Sequence, residues 1–254
     1  MTAIDSHCHL HDSEFFGDNR EEIYATTIQS NVAMICVGTN IRSSKEAVEF
    51  CATHDKCYAV VGVHPHDAKT ADIAQLRLLV EQNRQQIVGI GEIGLDYYYT
   101  HSPRSTQQNI LRQQLQLARE FNLPVSFHIR DGFEDFWPIY DEFLDVPGVM
   151  HSFTDTQANL DEGFRRGLYV GINGISTFTK DQGQQQLYVQ VPLEKMLIET
   201  DAPYLTPKPF RGKMNIPAYV VEIARHQAML KGVPLEDVIR ITTDNARRLF
   251  NLPL

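Results

Sequence analysis

The sequence has few cysteines, no long apolar run and fewer basic than acidic residues, and each shortage excludes a class of protein. Four cysteines in 254 residues, without CxxC spacing, do not fit the disulfide framework of a small secreted domain. No stretch approaches the roughly 18 apolar residues that cross a bilayer, and the N-terminus does not resemble a secretory signal. We therefore expect reduced thiols, no membrane association and a cytoplasmic location.

The charge balance limits how the protein could meet a phosphate-bearing substrate. There are 23 Lys and Arg residues against 32 Asp and Glu residues, which gives a formal net charge of -9. Proteins that coat nucleic acid by long-range attraction need a broad basic face. A phosphate would therefore have to be bound locally, and divalent cations can do this because each is often the largest charge in its site.

Short apolar segments rich in Val and Ile alternate with amphipathic segments along the chain. The predicted strands are AIDSH, VAMICVG, YAVVGV, IVGIGEIG, PVSFHIR, GVMHSF, LYVGING and EKMLIET. Intervening segments such as STQQNILRQQLQLAREF place apolar residues three and four positions apart, which predicts helices. Eight such units predict an α/β protein, a (β/α)8 TIM barrel formed by one domain over residues 1–254.

The C-terminal region predicts helices that close the barrel. IPAYVVEIARHQAMLKG is one, and LEDVIRI and TDNARRLFNL are predicted as a separate pair, with Thr243 and Asp244 as caps. The seventh helix is predicted within the glutamine-rich segment FTKDQGQQQLYVQV, although this segment contains a glycine.

Histidines and acidic residues fall where the predicted strands end. The C-terminal ends of parallel strands meet at one face of a barrel, and such barrels place their chemistry there. The residues at these ends are His7, His9, His64, His66, Glu92, His128, His151 and Asp201.

The pair His7 and His9 indicates a metal site. Residues two apart on a strand point to the same side, so both imidazoles can reach one ion while Cys8 points away. Hydrogen bonds at a polar strand end would explain an isolated pair equally well. Glu92, however, stands between apolar strand residues, where burial is costly unless the carboxylate is paired or metal-bound. The complete set predicts metal binding by His7, His9, Glu92, His128, His151 and Asp201.

The number of candidate ligands predicts two divalent ions. Six candidates exceed the three protein ligands of a catalytic zinc site, and a carboxylate such as Glu92 can bridge two ions. Imidazole and carboxylate ligands suit Mn and Zn, and a carboxylate-rich site also admits Mg. We expect Asp201 to be both a ligand and the acceptor of a proton from the attacking water. The predicted catalytic residues are therefore Asp201 and the bridging carboxylate Glu92.

Six motifs in this order resemble the TatD family of metal-dependent deoxyribonucleases, a branch of the amidohydrolase superfamily: IDSHCHLHD, GVHPH, GEIGLDYY, PVSFHIRD, HSF and LIETDAPYLTP. The resemblance runs from the first strand to the final helices. It implies hydrolysis of phosphodiester bonds by a 3′-to-5′ exonuclease. The implied substrate is single-stranded DNA or a 3′ end, with RNA as a further candidate, and no obligate protein partner is evident.

The resemblance also implies roles for individual residues. One ion would be held by His7, His9, Glu92 and Asp201, and the other by Glu92, His128 and His151. The substrate contacts would be His64, Arg130, Arg211 and Asn215.

Two positions depart from the family pattern. Met214 stands where a second basic residue is usual, and Asp155 stands where glycine is usual. We interpret Asp155 as a helix N-cap, since it precedes TQANLDEG.

Aromatic residues follow two of the predicted strands. Tyr97, Tyr98 and Tyr99 follow the fourth strand, and some of these rings could stack on a terminal base, as in proteins that bind single strands. Phe136 and Trp137, after the fifth strand, are at least as well explained as core residues.

Other functions also fit these residues. A barrel of this kind could hydrolyse a small ester, lactone or amide, but many such enzymes bridge their ions with a carbamylated lysine, and the fourth strand ends with Glu92 and contains no lysine. A histidinol-phosphatase-like fold also opens with HxH, but it needs further His and Asp ligands. A non-catalytic metal-binding protein is the third alternative, which metal-dependent turnover would exclude.

Overall fold

Eight parallel strands follow one another around a barrel in the order of the sequence. They were located in a computed structural model that describes residues 2–253, so Met1 and Leu254 of the predicted domain lie outside the described residues. The strands are Ala3–Cys8 (β1), Val32–Val37 (β2), Cys57–Val61 (β3), Ile87–Asp96 (β4), Val125–Arg130 (β5), Gly148–Met150 (β6), Tyr169–Ile172 (β7) and Met196–Ile198 (β8). The predicted (β/α)8 TIM barrel is confirmed.

Helices connect these strands on the outside of the barrel. Within residues 2–253 they are Ser13–Phe16 (α1), Arg20–Gln29 (α2), Ile41–Thr53 (α3), Ile73–Gln82 (α4), Arg104–Phe121 (α5), Phe133–Tyr140 (α6), Gln157–Arg165 (α7), Ile175–Phe178 (α8), Gln182–Gln190 (α9), Val220–Lys231 (α10) and Leu235–Phe250 (α11). The glutamine-rich segment predicted as the seventh helix contains α9, which begins where the Asp181 side chain accepts a hydrogen bond from the Gln184 amide.

Helix α5 shows how the sequence fixes both a helix and the neighbouring strand ends. Its apolar residues recur at helical spacing and pack on the barrel, and its C-cap is Asn122, whose φ of 51° is left-handed. Two buried glutamines on the same face bind strand ends. Gln114 pairs with both backbone groups of Val63, and Gln107 pairs with both backbone groups of Asp96. These bonds fix the chain beside His64 and at the end of β4.

The last helix closes the N-terminal end of the barrel. Leu249 and Phe250 of α11 pack inside the barrel against strand residues, which are Ile4, Ile35 and Leu197. The prediction that C-terminal helices close the barrel is therefore confirmed. No helix in residues 2–253 combines the length and apolar character needed to cross a membrane.

The predicted break before Thr243 is wrong, because α11 is one continuous helix. No proline or glycine interrupts it, and its buried face continues across the expected break through Val238, Thr242 and Ala246. Thr243 donates its hydroxyl hydrogen bond to the Thr2 carbonyl instead of capping a helix.

Side chains and loop backbone join β8 to β1. The Asp5 carboxyl group accepts hydrogen bonds from the Thr200 amide at 2.8 Å and from the Thr200 hydroxyl, and the Ser6 hydroxyl donates to the Ile198 carbonyl at 3.0 Å. Beyond them, the Asp201 amide donates to the His7 carbonyl at 2.8 Å. The closure of the barrel therefore brings Asp201 beside the HxH pair.

Candidate active site

The C-terminal ends of the strands open into one cavity of about 1070 Å³. Its lining includes His9, His64, His66, Glu92, His128, Arg130, His151 and Asp201. His7 is completely buried and lies below this lining. The residues predicted at separate strand ends thus surround one volume, as expected for a barrel of parallel strands.

The first group of ligand atoms joins β1 to the residue after β8. His9 Nε2 lies 3.3 Å from Asp201 Oδ1, and His7 Nε2 lies 4.0 Å from the same oxygen. His9 Nδ1 lies 2.7 Å from the Val37 carbonyl, which can only accept a hydrogen bond, so Nδ1 carries the proton. Nε2 is therefore the nitrogen that faces Asp201: it binds a metal ion through its lone pair when the ring is neutral, and it donates a hydrogen bond to Asp201 when the ring is protonated.

Glu92 occupies the centre of the site. Its Oε2 lies 3.6 Å from His7 Nε2, whereas its Oε1 lies 2.8 Å from His128 Nδ1 and 3.7 Å from His64 Nε2. Burial alone would raise the pKa of Glu92, but the charges and hydrogen bonds of the surrounding histidines outweigh it and hold the pKa well below its usual value. Glu92 is therefore a buried carboxylate that faces two groups of imidazoles.

His151 lies beside His7. The two rings stack with centroids 3.5 Å apart, and His151 Nε2 lies 3.8 Å from Asp201 Oδ1 and 3.9 Å from Glu92 Oε1. Among residues 2–253, three sets have ligand atoms within 4.8 Å of one another: His7, His9, Asp201; His7, Glu92, His151; and His64, Glu92, His128. His64 thus joins Glu92 and His128, whereas the family resemblance assigned His151 to that group.

The donor chemistry of the site fits divalent cations. His7 Nε2 is buried and makes no hydrogen bond within residues 2–253, although two carboxylates face it. Its other ring nitrogen lies 3.2 Å from the Ser126 hydroxyl, which orients the ring. A buried nitrogen directed at carboxylates is poorly placed unless a cation or a proton lies between them.

Two carboxylates that the sequence reasoning missed support the histidines from behind. Glu199 is fully buried, its Oε1 lies 2.8 Å from His151 Nδ1, and it accepts a hydrogen bond from the Ser152 amide at 2.6 Å. Burial would lower the pKa of His151, but the charge and hydrogen bond of Glu199, together with the charges of Asp201 and Glu92, outweigh burial and raise the pKa to about 10. Gly171 leaves the room for this carboxylate, since a Cβ there would lie 2.3 Å from Glu199 Oε2.

Asp96 is the second missed carboxylate. Its Oδ2 lies 2.9 Å from both His66 Nε2 and His128 Nε2. Burial opposes the charged form of His128, but Asp96 and Glu92 outweigh it and raise the pKa of His128 to about 9. The segment GEIGLD indicates this role, because Glu92 and Asp96 are four positions apart and residues four apart on a strand share a face.

The four predicted substrate residues lie in different surroundings. His64 and Arg130 line the cavity. Arg211 donates to the Thr206 carbonyl at 2.9 Å and covers the Phe178 ring, and Asn215 is buried and donates to the Thr200 and Tyr204 carbonyls. Neither Arg211 nor Asn215 lines the cavity; both hold the loop that follows β8.

Asp155 was predicted to be the N-cap of the helix that follows it, but it is not. Thr156 is the N-cap of α7 and accepts from the Asn159 amide, whereas Asp155 accepts from the Asn159 side chain. The cap therefore lies one residue later than expected.

Comparisons with known proteins agree with this architecture. The family described as TatD related DNase matches residues 4–251. An uncharacterized metal-dependent hydrolase, YabD of Bacillus subtilis, is 36% identical over 98% of this chain and 99% of its own length. The 3′-5′ ssDNA/RNA exonuclease TatD of Salmonella typhimurium is 34% identical over 94% of this chain and 96% of its own length.

A solved structure has the same fold over nearly the entire chain. The crystal structure of YJJV, a TatD homolog from Escherichia coli, superposes with a TM-score of 0.91 at 26% identity and covers 99% of this chain and 98% of that one. The family match and these relatives together show that the chain belongs to the TatD family of metal-dependent hydrolases.

Proposed function

We propose that this protein is a 3′-to-5′ exonuclease that removes nucleotides from single-stranded DNA, with RNA as a further substrate. The main support is the position of Glu92, because one of its oxygens faces His7 and the other faces His128. A carboxylate in this position can serve two ions, and two-ion sites are common in nucleases. The Salmonella relative named as a 3′-5′ ssDNA/RNA exonuclease supports the nucleic-acid substrate.

The proposed ligands are imidazoles and carboxylates, a donor set that suits Mg, Mn or Zn. We assign two divalent ions to His7, His9, Glu92, His128, His151 and Asp201, with His64 beside the second group. When bound, such ions lower the pKa of water and offset the charge of a phosphate.

Asp201 is the proposed proton acceptor for the attacking water. Burial would raise the pKa of Asp201, but its hydrogen bond with His9 and the charges of His151 and His7 outweigh burial and lower the pKa. Asp201 is therefore a carboxylate at neutral pH, and it lines the cavity where a substrate would lie. Its Oδ atoms can accept the proton that the water loses.

Arg130 and His64 are the proposed contacts to the scissile phosphate. The Arg130 guanidinium makes no hydrogen bond or ion pair within the described chain and lies at the cavity wall, so its donors remain available to phosphate oxygens. Arg211 and Asn215 are better explained as positioning residues, because they bind the backbone of the loop that follows β8, on both sides of Asp201.

We infer that the protein acts in the cytoplasm as one barrel domain over residues 1–254. Four free, buried cysteines support a reducing compartment. A single eight-stranded sheet that extends along the described chain supports one domain.

The test is degradation of a single-stranded oligonucleotide by protein that is stripped with chelator and restored separately with Mg, Mn or Zn. A 5′ label should give a ladder of products that shorten by one nucleotide, and a 3′ label should give a released mononucleotide at once. Glu92→Gln should abolish both, whereas the matched exposed change Glu81→Gln in α4 should not.

Two outcomes would contradict the proposal. Internal fragments from both labels would indicate an endonuclease. No cleavage with any metal, in protein shown to bind the ions, would favour a small ester, lactone or amide as the substrate.

A further inference from the structure

Two exposed tyrosines and one arginine form a cluster at the rim of the cavity. Tyr98 is 57% exposed and Tyr99 is 43% exposed, and their rings meet edge to face at 4.8 Å. The Arg130 guanidinium carbon lies 3.8 Å from the Tyr98 ring centre and 5.1 Å from that of Tyr99. We propose that Tyr98, Tyr99 and Arg130 form a nucleotide subsite that stacks on an unpaired base and binds its phosphate, an inference that rests on the proposed nuclease function.

A single carboxylate fixes the cluster relative to the candidate metal site. Asp96 Oδ1 accepts hydrogen bonds from the Tyr98 amide at 3.1 Å and from the Tyr99 amide at 3.0 Å. Its other oxygen lies 2.9 Å from His128 Nε2. The turn that presents both tyrosines is therefore tied to a candidate metal ligand, and such preorganisation lowers the ordering cost of binding.

Arg130 connects the rings to the cavity. It follows His128 by two positions on β5, so both side chains point to the same side of the strand. Its guanidinium is held over the Tyr98 ring and makes no hydrogen bond or ion pair elsewhere in residues 2–253. A guanidinium held over a ring can still present its N–H groups to a phosphate.

A row of rings leads from the cluster into the cavity. Tyr99 stacks on His101 with centroids 5.6 Å apart, His101 lies 4.7 Å from His66, and His66 lies 4.4 Å from His64. Bases of every type can stack on such rings, which favours binding without sequence preference. A base inside a duplex already has both faces covered, so this subsite selects unpaired nucleotides.

The exposure of the rings points to a ligand and not to a role in the core. Tyr97, the preceding tyrosine, is part of the packed structure: it packs against the core, and its hydroxyl donates to Asp135. Tyr98 and Tyr99 instead keep about half of their surface in solvent at the cavity rim. Large exposed aromatic groups beside a cavity are typical of binding sites.

The test uses single-stranded oligonucleotides that carry one abasic residue at the last, second or third position from the 3′ end. If one base stacks on the cluster, wild-type protein should degrade one of these substrates about ten-fold more slowly than the intact strand. Tyr98→Leu and Tyr99→Leu should bring that ratio close to one, while Tyr98→Phe should retain it. The matched control is Tyr169→Leu, whose ring lies near Lys195 at the opposite end of the barrel.

Equilibrium binding of the same strands, measured by fluorescence anisotropy with Mg present in protein that carries Asp201→Asn, gives a readout that does not depend on turnover. In that background the same position should lower the affinity when Tyr98 is present and should not do so when Tyr98→Leu is added. If both leucine variants keep the same dependence on the position of the abasic residue as wild type, the subsite alone would be overturned. Strands that bind with this pattern but are not cut would overturn only the exonuclease, and strands neither bound nor cut would overturn both.

Discussion

His151 depends on a carboxylate that lies behind it. Glu199 faces His151 Nδ1 at 2.8 Å, so the ring directs Nε2 towards Asp201 and Glu92. Carboxylates behind metal-binding histidines fix the ring and raise its basicity. The role proposed for His151 therefore requires Glu199.

We predict that Glu199→Gln weakens divalent-metal binding by about 10- to 100-fold, because the ring loses its charged partner. Metal titration by calorimetry would measure the change. Glu194→Gln, an exposed change five residues earlier, should leave affinity unaltered. Equal affinity in wild type and Glu199→Gln would remove Glu199 from the metal site.

Asp201 is the residue on which the proposed chemistry depends most. We predict that Asp201→Asn lowers kcat by about 10²- to 10⁴-fold, because an amide cannot take the proton from water. Thermal unfolding should stay close to that of wild type, since the amide fits the same volume. Asp244→Asn, on the exposed face of α11, serves as the control. A near-wild-type rate in Asp201→Asn would exclude this role.

Among the elements, the contact between β1 and β8 depends on one buried carboxyl group. Burial raises the pKa of Asp5 from about 3.8 to about 8, although hydrogen bonds from Thr200 and His7 oppose the shift. Between these pH values the folded protein keeps a proton that the unfolded chain has lost. The stability that Asp5 contributes is therefore complete below pH about 4 and is lost as the pH rises to about 8.

We predict that Asp5→Asn removes this pH dependence, because the amide can keep the bonds to Thr200 without ionising. Urea unfolding in chelator at pH 5, 7 and 9 would show wild type losing stability relative to Asp5→Asn as the pH rises. A difference between the two proteins that stays constant over this range would contradict the assignment.

The strands and the positions of their ends were predictable from sequence, but the contacts between strands were less so. Strand β2 is buried along its whole length, and a continuous apolar run indicates such a strand directly. The partners of Glu199 and Asp96 come from other strands, and no local pattern encodes them. Thr243 and Asp244 have the residue types of helix caps, but the buried face of α11 continues past them, so the helix does not break there.

Asn215 illustrates the limit for loops. The family motif predicted that Asn215 contacts the substrate, whereas the path of the chain shows that it binds backbone carbonyls of the loop after β8. Loop paths depend on individual hydrogen bonds and not on a repeating pattern. The residues at strand ends were therefore easier to place than Arg211 and Asn215.

At the scale of the whole molecule, charge makes the proposed function dependent on cations. The chain has a net charge of -9, and Glu92, Asp96, Asp201 and Glu199 are all in or beside one cavity. A phosphodiester entering this cavity without bound cations would meet like charges. Arg130 and Lys69 line the wall, and the protonated rings of His128 and His151 offset part of that charge in the metal-free site, where bound ions would take the place of those protons.

The most direct test of the central claim, that ions bound at these residues act on a phosphodiester, is a change of metal on a sulfur-substituted substrate. The oligonucleotide would carry one non-bridging phosphorothioate of defined configuration at its 3′-terminal linkage. We predict that Mg supports slow cleavage of one diastereomer and that the softer ion Mn restores the rate, relative to the ordinary phosphate. Equal cleavage of both diastereomers and the phosphate with each metal, when bond breaking limits the rate, would contradict direct contact between the ions and the scissile phosphate.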